Sequence, residues 1–263
     1  MVIETIGYQA TAAAAGGSAA TAFSGDSMAV KNATDGSKIK LVSIWSKNQT
    51  LGVQQIVAPS FNDTTRGIRW VGPADAIAMP FLSPMTQPLV PQELISATIV
   101  GTAVAGNISQ GLLTIYYENS PGLQGKYITP EDVLSSGVRA VTVQASITAT
   151  AAGGWTGGEL LTADSDLLRA NTNYAVIGGA CGVQVTGIGI RAPDWSNLRI
   201  AFPGDLTQAG LTNNWFSHLS KINGMSMIPV FNSANKNNIF LDIADDENGG
   251  ATTVQINLVE LSN

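Results

Sequence analysis

Charge is scarce in this sequence: 12% of its 263 residues are Asp, Glu, Lys or Arg, against about 25% in an ordinary soluble domain. The 13 basic and 19 acidic residues leave a net charge of −6 and a pI near 4.7. That balance argues against direct nucleic-acid binding, which calls for a basic patch or arm. A folded monomer of 27.3 kDa exposes roughly 11,000 Å² by the usual scaling. So few charged side chains protect such a surface poorly against association, and other subunits are expected to cover much of it.

Cysteine and histidine are almost missing. Cys181, alone in GGACGVQV, excludes an internal disulfide and a thiolate metal site, and it reads as a small buried thiol. His218 is the single histidine, so no histidine-based metal site or triad is expected. Long apolar runs are missing too. The longest uncharged stretch, LISATIVGTAVAGNISQGLLTIYY at 94–117, has the length of a membrane helix. Asn107, Ser109 and Gln110 lie mid-run beside Gly106 and Gly111, which reads as strand, turn, strand. The opening MVIETIGYQATAAAAGG has no basic arm, and Glu4 and Gln9 break up any signal-peptide core.

What is present is alternation at period two. Val141, Val143, Ala145 and Ile147 alternate with Thr142, Gln144 and Ser146, and Leu198, Ile200 and Phe202 with Asn197, Arg199 and Ala201. Ile239, Leu241 and Ile243 are followed by Val254, Ile256 and Leu258. DDENGG lies between these two runs, and its Asn-Gly pair predicts a hairpin. Each such strand is expected to turn one face to a core and the other to solvent, as in an antiparallel sandwich.

Helices are few. TPEDVLSSG predicts one, with Thr129 as cap, Pro130 in the first turn and Gly137 as stop. TNNWFSHLSKING predicts a second, with Trp215, Leu219 and Ile222 on one face, Thr212 or Asn213 as cap and Gly224 as stop. GPADAIAMP at 72–80 is a weaker third.

The phrase TAAAAGG at 11–17 returns as TATAAGG at 148–154. After the first come KIKLVSIWSK, GVQQIVAPSF, PADAIAMPF, ELISATIVG and GLLTIYYEN; after the second come VQVTGIGIRAP, NLRIAFPGDL, WFSHL, NIFLDIADD and TVQINLVELSN. Thr11 and Thr148 lie 137 apart, Pro59 and Pro203 144 apart, Pro80 and Pro229 149 apart, Asn119 and Asn263 144 apart. Similar phrases in the same order predict a duplicated unit. The expected fold is all-β: two tandem jelly-roll sandwiches, residues 1–125 and 138–263, each with a short helix before its last strands, joined by a helical linker at 126–137.

This order of elements resembles the double jelly-roll major capsid proteins of tailless, internal-membrane bacteriophages and related viruses. The resemblance spans essentially the whole chain but rests on architecture, with no signature motif that carries over functional residues. It implies a structural subunit without enzymatic activity, made in the host cytoplasm and located in the virion. It further implies a homotrimer whose six jelly rolls form a pseudo-hexagonal capsomer of an icosahedral shell. Its partners would be neighbouring capsomers, minor virion proteins and an internal lipid membrane.

Motifs for chemistry fail their contexts. GIGIRA at 187–192 matches the dinucleotide fingerprint, but Pro193 and a strand follow where a helix is needed. SGDSMA at 24–29 matches a lipase-like Gly-Asp-Ser, yet Trp215 stands where a carboxylate would orient His218; Asp26 reads as a turn residue bonded to local amides. DIADDENGG at 242–250 gathers four carboxylates without calcium-loop spacing and reads as a solvated hairpin tip. The sequons at Asn32, Asn48, Asn62 and Asn107 read as accidents of composition. No catalytic, cofactor-binding or metal-ligating residue is expected, and no cofactor. The rival readings are a tandem jelly-roll glycan-active hydrolase, with carboxylates from Asp164, Asp166, Asp194 and Asp205 in a cleft between the halves, and a trimeric spike or receptor-binding module.

Overall fold

The computed structural model describes residues 1–11, 17–33, 38–61, 67–79, 87–101, 106–149, 154–245 and 250–262. Most of the two small-residue phrases lies outside the described residues. The first half contains β1 (Val2–Thr11), β2 (Gly17–Ala19), β3 (Thr21–Ala22), β4 (Ile39–Asn48), β5 (Gly52–Val57), β6 (Ile68–Gly72), β7 (Ile77–Ala78), β8 (Gln87–Pro88), β9 (Ser96–Gly101) and β10 (Ile108–Tyr117). After β11 (Tyr127–Ile128) and helix α1 (Pro130–Ser136), the second half contains β12 (Gly137–Thr148), β13 (Gly154–Leu160), β14 (Asn173–Ala180), β15 (Val185–Arg191) and β16 (Arg199–Pro203). Helices α2 (Ala209–Thr212) and α3 (Trp215–Asn223) precede β17 (Ile228–Asn232), β18 (Phe240–Asp245) and β19 (Ala251–Leu261).

The chain is all-β, built as jelly-roll type sandwiches. One sheet runs β3-β1-β10-β4-β7, with β8 also on β4, and its partner runs β2-β9-β5-β6. In the second half the sheets run β11-β17-β14-β19-β12 and β13-β18-β15-β16. The wiring is the same twice. The first long strand pairs with the last, β1 with β10 and β12 with β19. The strand before the last crosses to the facing sheet, β9 onto β2 and β5, and β18 onto β13 and β15. Thr11 and Thr148 close the equivalent strands β1 and β12.

The matching of phrases between the halves is out by one strand in the middle. KIKLVSIWSK is β4, whose counterpart by strand order is β14, NYAVIGGA, and not β15; GVQQIVAPSF carries β5, whose counterpart is β15, and not β16. Pro59 and Pro203 therefore do not correspond. A second correction concerns the run 239–258. β18 and β19 lie in different sheets, so the chain crosses the sandwich there and makes no hairpin; residues 246–249 of DDENGG are outside the described residues.

Helix α1 forms as its sequence predicts. Thr129 Oγ1 accepts from the Asp132 amide at 3.1 Å while the Asp132 carboxylate takes the Thr129 amide at 2.9 Å, a reciprocal capping box. Thr129→Ala is expected to cost about 1 kcal/mol, read as a lower urea midpoint with an unchanged slope. Helix α3 buries Trp215, Phe216 and Leu219 and stops at Gly224, whose φ of 63° suits glycine. Its N-cap position is Asn214, one or two residues later than the expected Asn213 or Thr212. The expected helix at 72–80 is absent from its described residues. Asp75 takes a φ of 52°, and Ile77–Ala78 pairs with Lys47 and Ser46 at the edge of β4, so sheet pairing overrides the local preference of AIA. Among the described residues of 1–125 there is no α-helix, and the described helices that precede last strands belong to the second half.

The layers explain the two kinds of strand. β12 and β19 alternate buried and exposed along much of their length, as expected for an outer sheet. β4, β10 and β15 are buried on both faces. In the β1-β10-β4 sheet, Ile6, Tyr8, Ile44 and Leu113 face the first sandwich's own core, while Ile3, Trp45, Leu112 and Tyr116 join the core of the second. The expectation of one solvent face fails for 197–202 and 239–243, because β16 and β18 belong to the layer pressed against the first sandwich.

Candidate functional site

The chemistry-bearing residues that the fold brings together lie at the boundary between the sandwiches. Asp26 follows the short strand β3, and its carboxylate leaves its own loop. Its Oδ2 accepts from the Gly7 amide at 2.7 Å and from Trp155 Nε1 at 2.8 Å, and its Oδ1 takes Arg199 Nη1 at 2.5 Å. The expectation of purely local partners for Asp26 is thus corrected: it ties the first sandwich to β13 and β16 of the second. Arg199 also donates through Nε to Asp242 Oδ2 at 2.9 Å, and Arg191 forks onto both oxygens of Asp242 at 2.6 and 2.9 Å. The Gly158 amide adds a donor to Asp242 Oδ1 at 3.1 Å. The Arg199 guanidinium lies 4.5 Å from the centre of the Trp155 ring, which meets Phe23 edge-on at 5.6 Å.

Two carboxylates against two guanidiniums, with amide and indole donors on the remaining lone pairs, form a closed network. Its geometry is that of a clamp. Burial pushes the Asp26 carboxyl above its ordinary value, outweighing the pull of Arg199. The folded state therefore holds that proton more tightly than the unfolded chain. The group's contribution to stability is full below the ordinary carboxylate range and fades as pH rises through the raised value. The stability advantage of the native protein over Asp26→Asn is expected to shrink between pH 3 and pH 7, measured by urea unfolding; a growing advantage would show that the ionised form is the favoured one.

Further bonds cross the same boundary. Trp45 Nε1 donates to the Thr186 carbonyl at 2.9 Å, Gln110 Nε2 to the Asp245 carbonyl at 2.8 Å, and the Ala201 amide to Thr5 Oγ1 at 3.0 Å. Lys47 Nζ reaches the Val183 carbonyl. Trp45 packs edge-on against Trp215 at 5.5 Å.

The carboxylates considered for a hydrolase are not gathered at this boundary. Asp164 and Asp166 sit between β13 and β14, where Asp164 accepts from Ser146 and Asp166 pairs with Lys236. Asp194, in the short 3₁₀ turn Pro193–Trp195, accepts from the Asn232 amide and from Asn235. Asp205 caps the turn Leu206–Gln208 through Thr207. GIGIR is strand β15, followed by that 3₁₀ turn. Within 242–250, Asp242 is consumed by the two arginines, and residues 246–249 are not described. Among the described residues no group of three or more His, Cys, Asp or Glu is placed to hold a metal. Asn48 is fully buried, which bars that sequon from modification in the folded chain. Burial raises the Cys181 thiol, whose Sγ lies 3.4 Å from Thr252 Oγ1. His218 is exposed on α3, lining a shallow groove of about 400 Å³ with Pro130, Leu134 and Val259. No described helix is long and apolar enough to cross a membrane.

Sequence reasoning missed Arg199 and Asp242 as a pair. The signal available was an arginine alternating inside an apolar strand, a position that a solvent face explains as well as a buried acid does.

No protein-family model matches the chain, and neither does any curated protein. Solved structures resembling it include the PBSX exported protein XepA, at 11% identity and TM-score 0.29 over 98% of this chain and 86% of that one. The major capsid protein P2 of bacteriophage PM2 matches at 8% identity and TM-score 0.23, over 99% and 98%. A peptide-N(4)-(N-acetyl-β-D-glucosaminyl)asparagine amidase matches at 11% and 0.21, over 98% and 97%. Likenesses this slight carry no functional weight.

Proposed function

We propose that the chain is a viral structural subunit, a major capsid protein of double jelly-roll type. The observation that supports this best is one strand order used twice in sandwiches locked by a packed, hydrogen-bonded boundary. Two similar blocks fixed in one body need only threefold closure to approximate a hexagon, the tile from which an icosahedral shell is built. The scarcity of charge fits a molecule whose flanks are covered in use. On the outer sheet of the first sandwich, Val71, Val53 and Val100 stand side by side across three strands, and Val71 is 62% exposed. In this reading the protein acts in the virion, contacts neighbouring capsomers, minor virion proteins and an underlying membrane, and binds no nucleic acid directly.

A homotrimer that survives dilution to nanomolar concentration is the expected result by native mass spectrometry and light scattering. Each contact should bury on the order of 2,000 Å² or more, and electron microscopy should show hexagonal tiles in concentrated samples. A well-behaved monomer would overturn the reading.

A further inference from the structure

The two halves treat the same edge differently. β1 and β12 hold the same place in their sheets, each pairing with the last strand of its half. The free side of β1 is plugged. β3 pairs with Tyr8 and Gln9, the Phe23 amide donates to the Gly7 carbonyl, Asp26 takes the Gly7 amide, and Tyr127 takes the Ile3 amide. Among the described residues β12 has no such cover. It ends its sheet, and among the described residues no main-chain hydrogen bond reaches Ala140–Thr148 from the side away from β19.

Open edges are normally guarded by charge, proline, a bulge or shortness. β12 is 12 residues long, and its one irregularity lies between Gly137 and Arg139. From residue 140 onward it reads AVTVQASIT, without charge or proline. Arg139, the nearest basic group, is turned back onto Glu260 at 2.9 Å. Beside residues 146–148 an open groove of about 500 Å³ separates β12 from Trp155, Thr156, Gly157 and Glu159 of β13, leaving room for an added strand.

We propose that β12 is a self-pairing edge: Ala140–Thr148 of one copy adds antiparallel to the same strand of a second copy across a twofold axis at Gln144. Self-pairing suits this segment because none of its own side chains is charged, the Asp164 carboxylate reaching it only as acceptor from Ser146 Oγ at 2.8 Å. Gln144 would face Gln144, Thr142 would face Ser146 and Ala140 would face Thr148, all uncharged on the exposed face, while Val141, Val143, Ala145 and Ile147 keep to the core side. Such a contact is isologous. Its nine-residue span of about 30 Å buries well under the roughly 1,200 Å² of a stable complex, because the apolar residues of β12 are already covered in the single chain. It is thus a weak contact, able to link trimers into larger arrays and unable to hold a trimer together. The inference rests on the structural-subunit reading for that setting, though not for the strand pairing itself.

Gln144→Lys and Gln144→Glu place like charges opposite each other on an exposed position, leaving the core untouched. The expected results are unchanged circular dichroism and trimers for both, loss of species larger than the trimer in sedimentation velocity for each alone, and recovery of the large species in an equimolar mixture. Gln144→Cys should in addition give a disulfide-linked pair under mild oxidation. Assembly by Gln144→Lys equal to that of the native protein would overturn the self-pairing edge while leaving the capsid reading intact. Loss without rescue by mixing, meaning that a different strand or another protein occupies the edge, would overturn it as well. Cross-linked dimers from a protein that never forms trimers would uphold the edge and overturn the capsid reading.

Discussion

Arg199→Ala is expected to destabilise the protein by about 3–5 kcal/mol, the range for breaking a buried ion pair from one side. Its side chain is only 14% exposed and bonds carboxylates from both sandwiches. Asp242 keeps the fork of Arg191 after the substitution, so most of the penalty falls on Asp26, which keeps only its amide and indole donors. Arg199→Lys is expected to recover little, because a single ammonium cannot bridge two carboxylates and lie flat on Trp155 at once. The Lys38–Glu118 pair, with both side chains nearly half exposed, provides the contrast. Lys38→Ala should change stability by less than about 1 kcal/mol. Urea unfolding of the three variants is the check, and an Arg199→Ala loss near that of Lys38→Ala would show that the boundary does not depend on the clamp.

Trp45→Ala is expected to cost about 3–5 kcal/mol as well, through packing instead of charge. The ring is fully buried in the outer face of the first sandwich's sheet, yet it belongs to the core of the second. Removing it opens a cavity between Trp215 and the Thr186 carbonyl. Trp45→Phe keeps the edge-on contact and loses the indole donor, so about 1 kcal/mol should separate it from the native protein. Because the cavity lies between the halves, both should still unfold in one transition, only earlier. A second transition in Trp45→Ala would show that the sandwiches are separable.

The two predictions also mark where the sequence was legible. Outer strands such as β12 announce themselves, since a strand with one wet face must alternate. Helix α1 was readable to its last residue because capping chemistry is local. Burial on both faces erases the alternation: LLTIYY in β10 was readable as a strand only through the turn residues that precede it, and NYAVIGGA in β14, covered on its outer side by α2 and α3, gave no period and was not read at all. The missed β14 is what shifted the matching of phrases by one strand. The supposed hairpin at DDENGG and the supposed helix at 72–80 failed for one reason, that a turn signal or a helical preference says nothing about which sheet the next residues will join. The clamp was illegible because Asp26, Arg199 and Asp242 are scattered through the sequence and meet only through the stacking of two sheets.

That stacking bears on how the protein can be made. The ribosome releases the first sandwich before the second, and domains tend to fold as they emerge. Here the early half cannot finish alone: Ile3, Trp45, Leu112 and Tyr116 would face water until Ile188 and Phe202 arrive to cover them. Newly synthesised chains therefore pass through a stage with a broad sticky sheet and no lid. In that stage the nascent protein is a natural client for holdase chaperones, and its yield should depend more on how fast the second half follows than on the final stability of either.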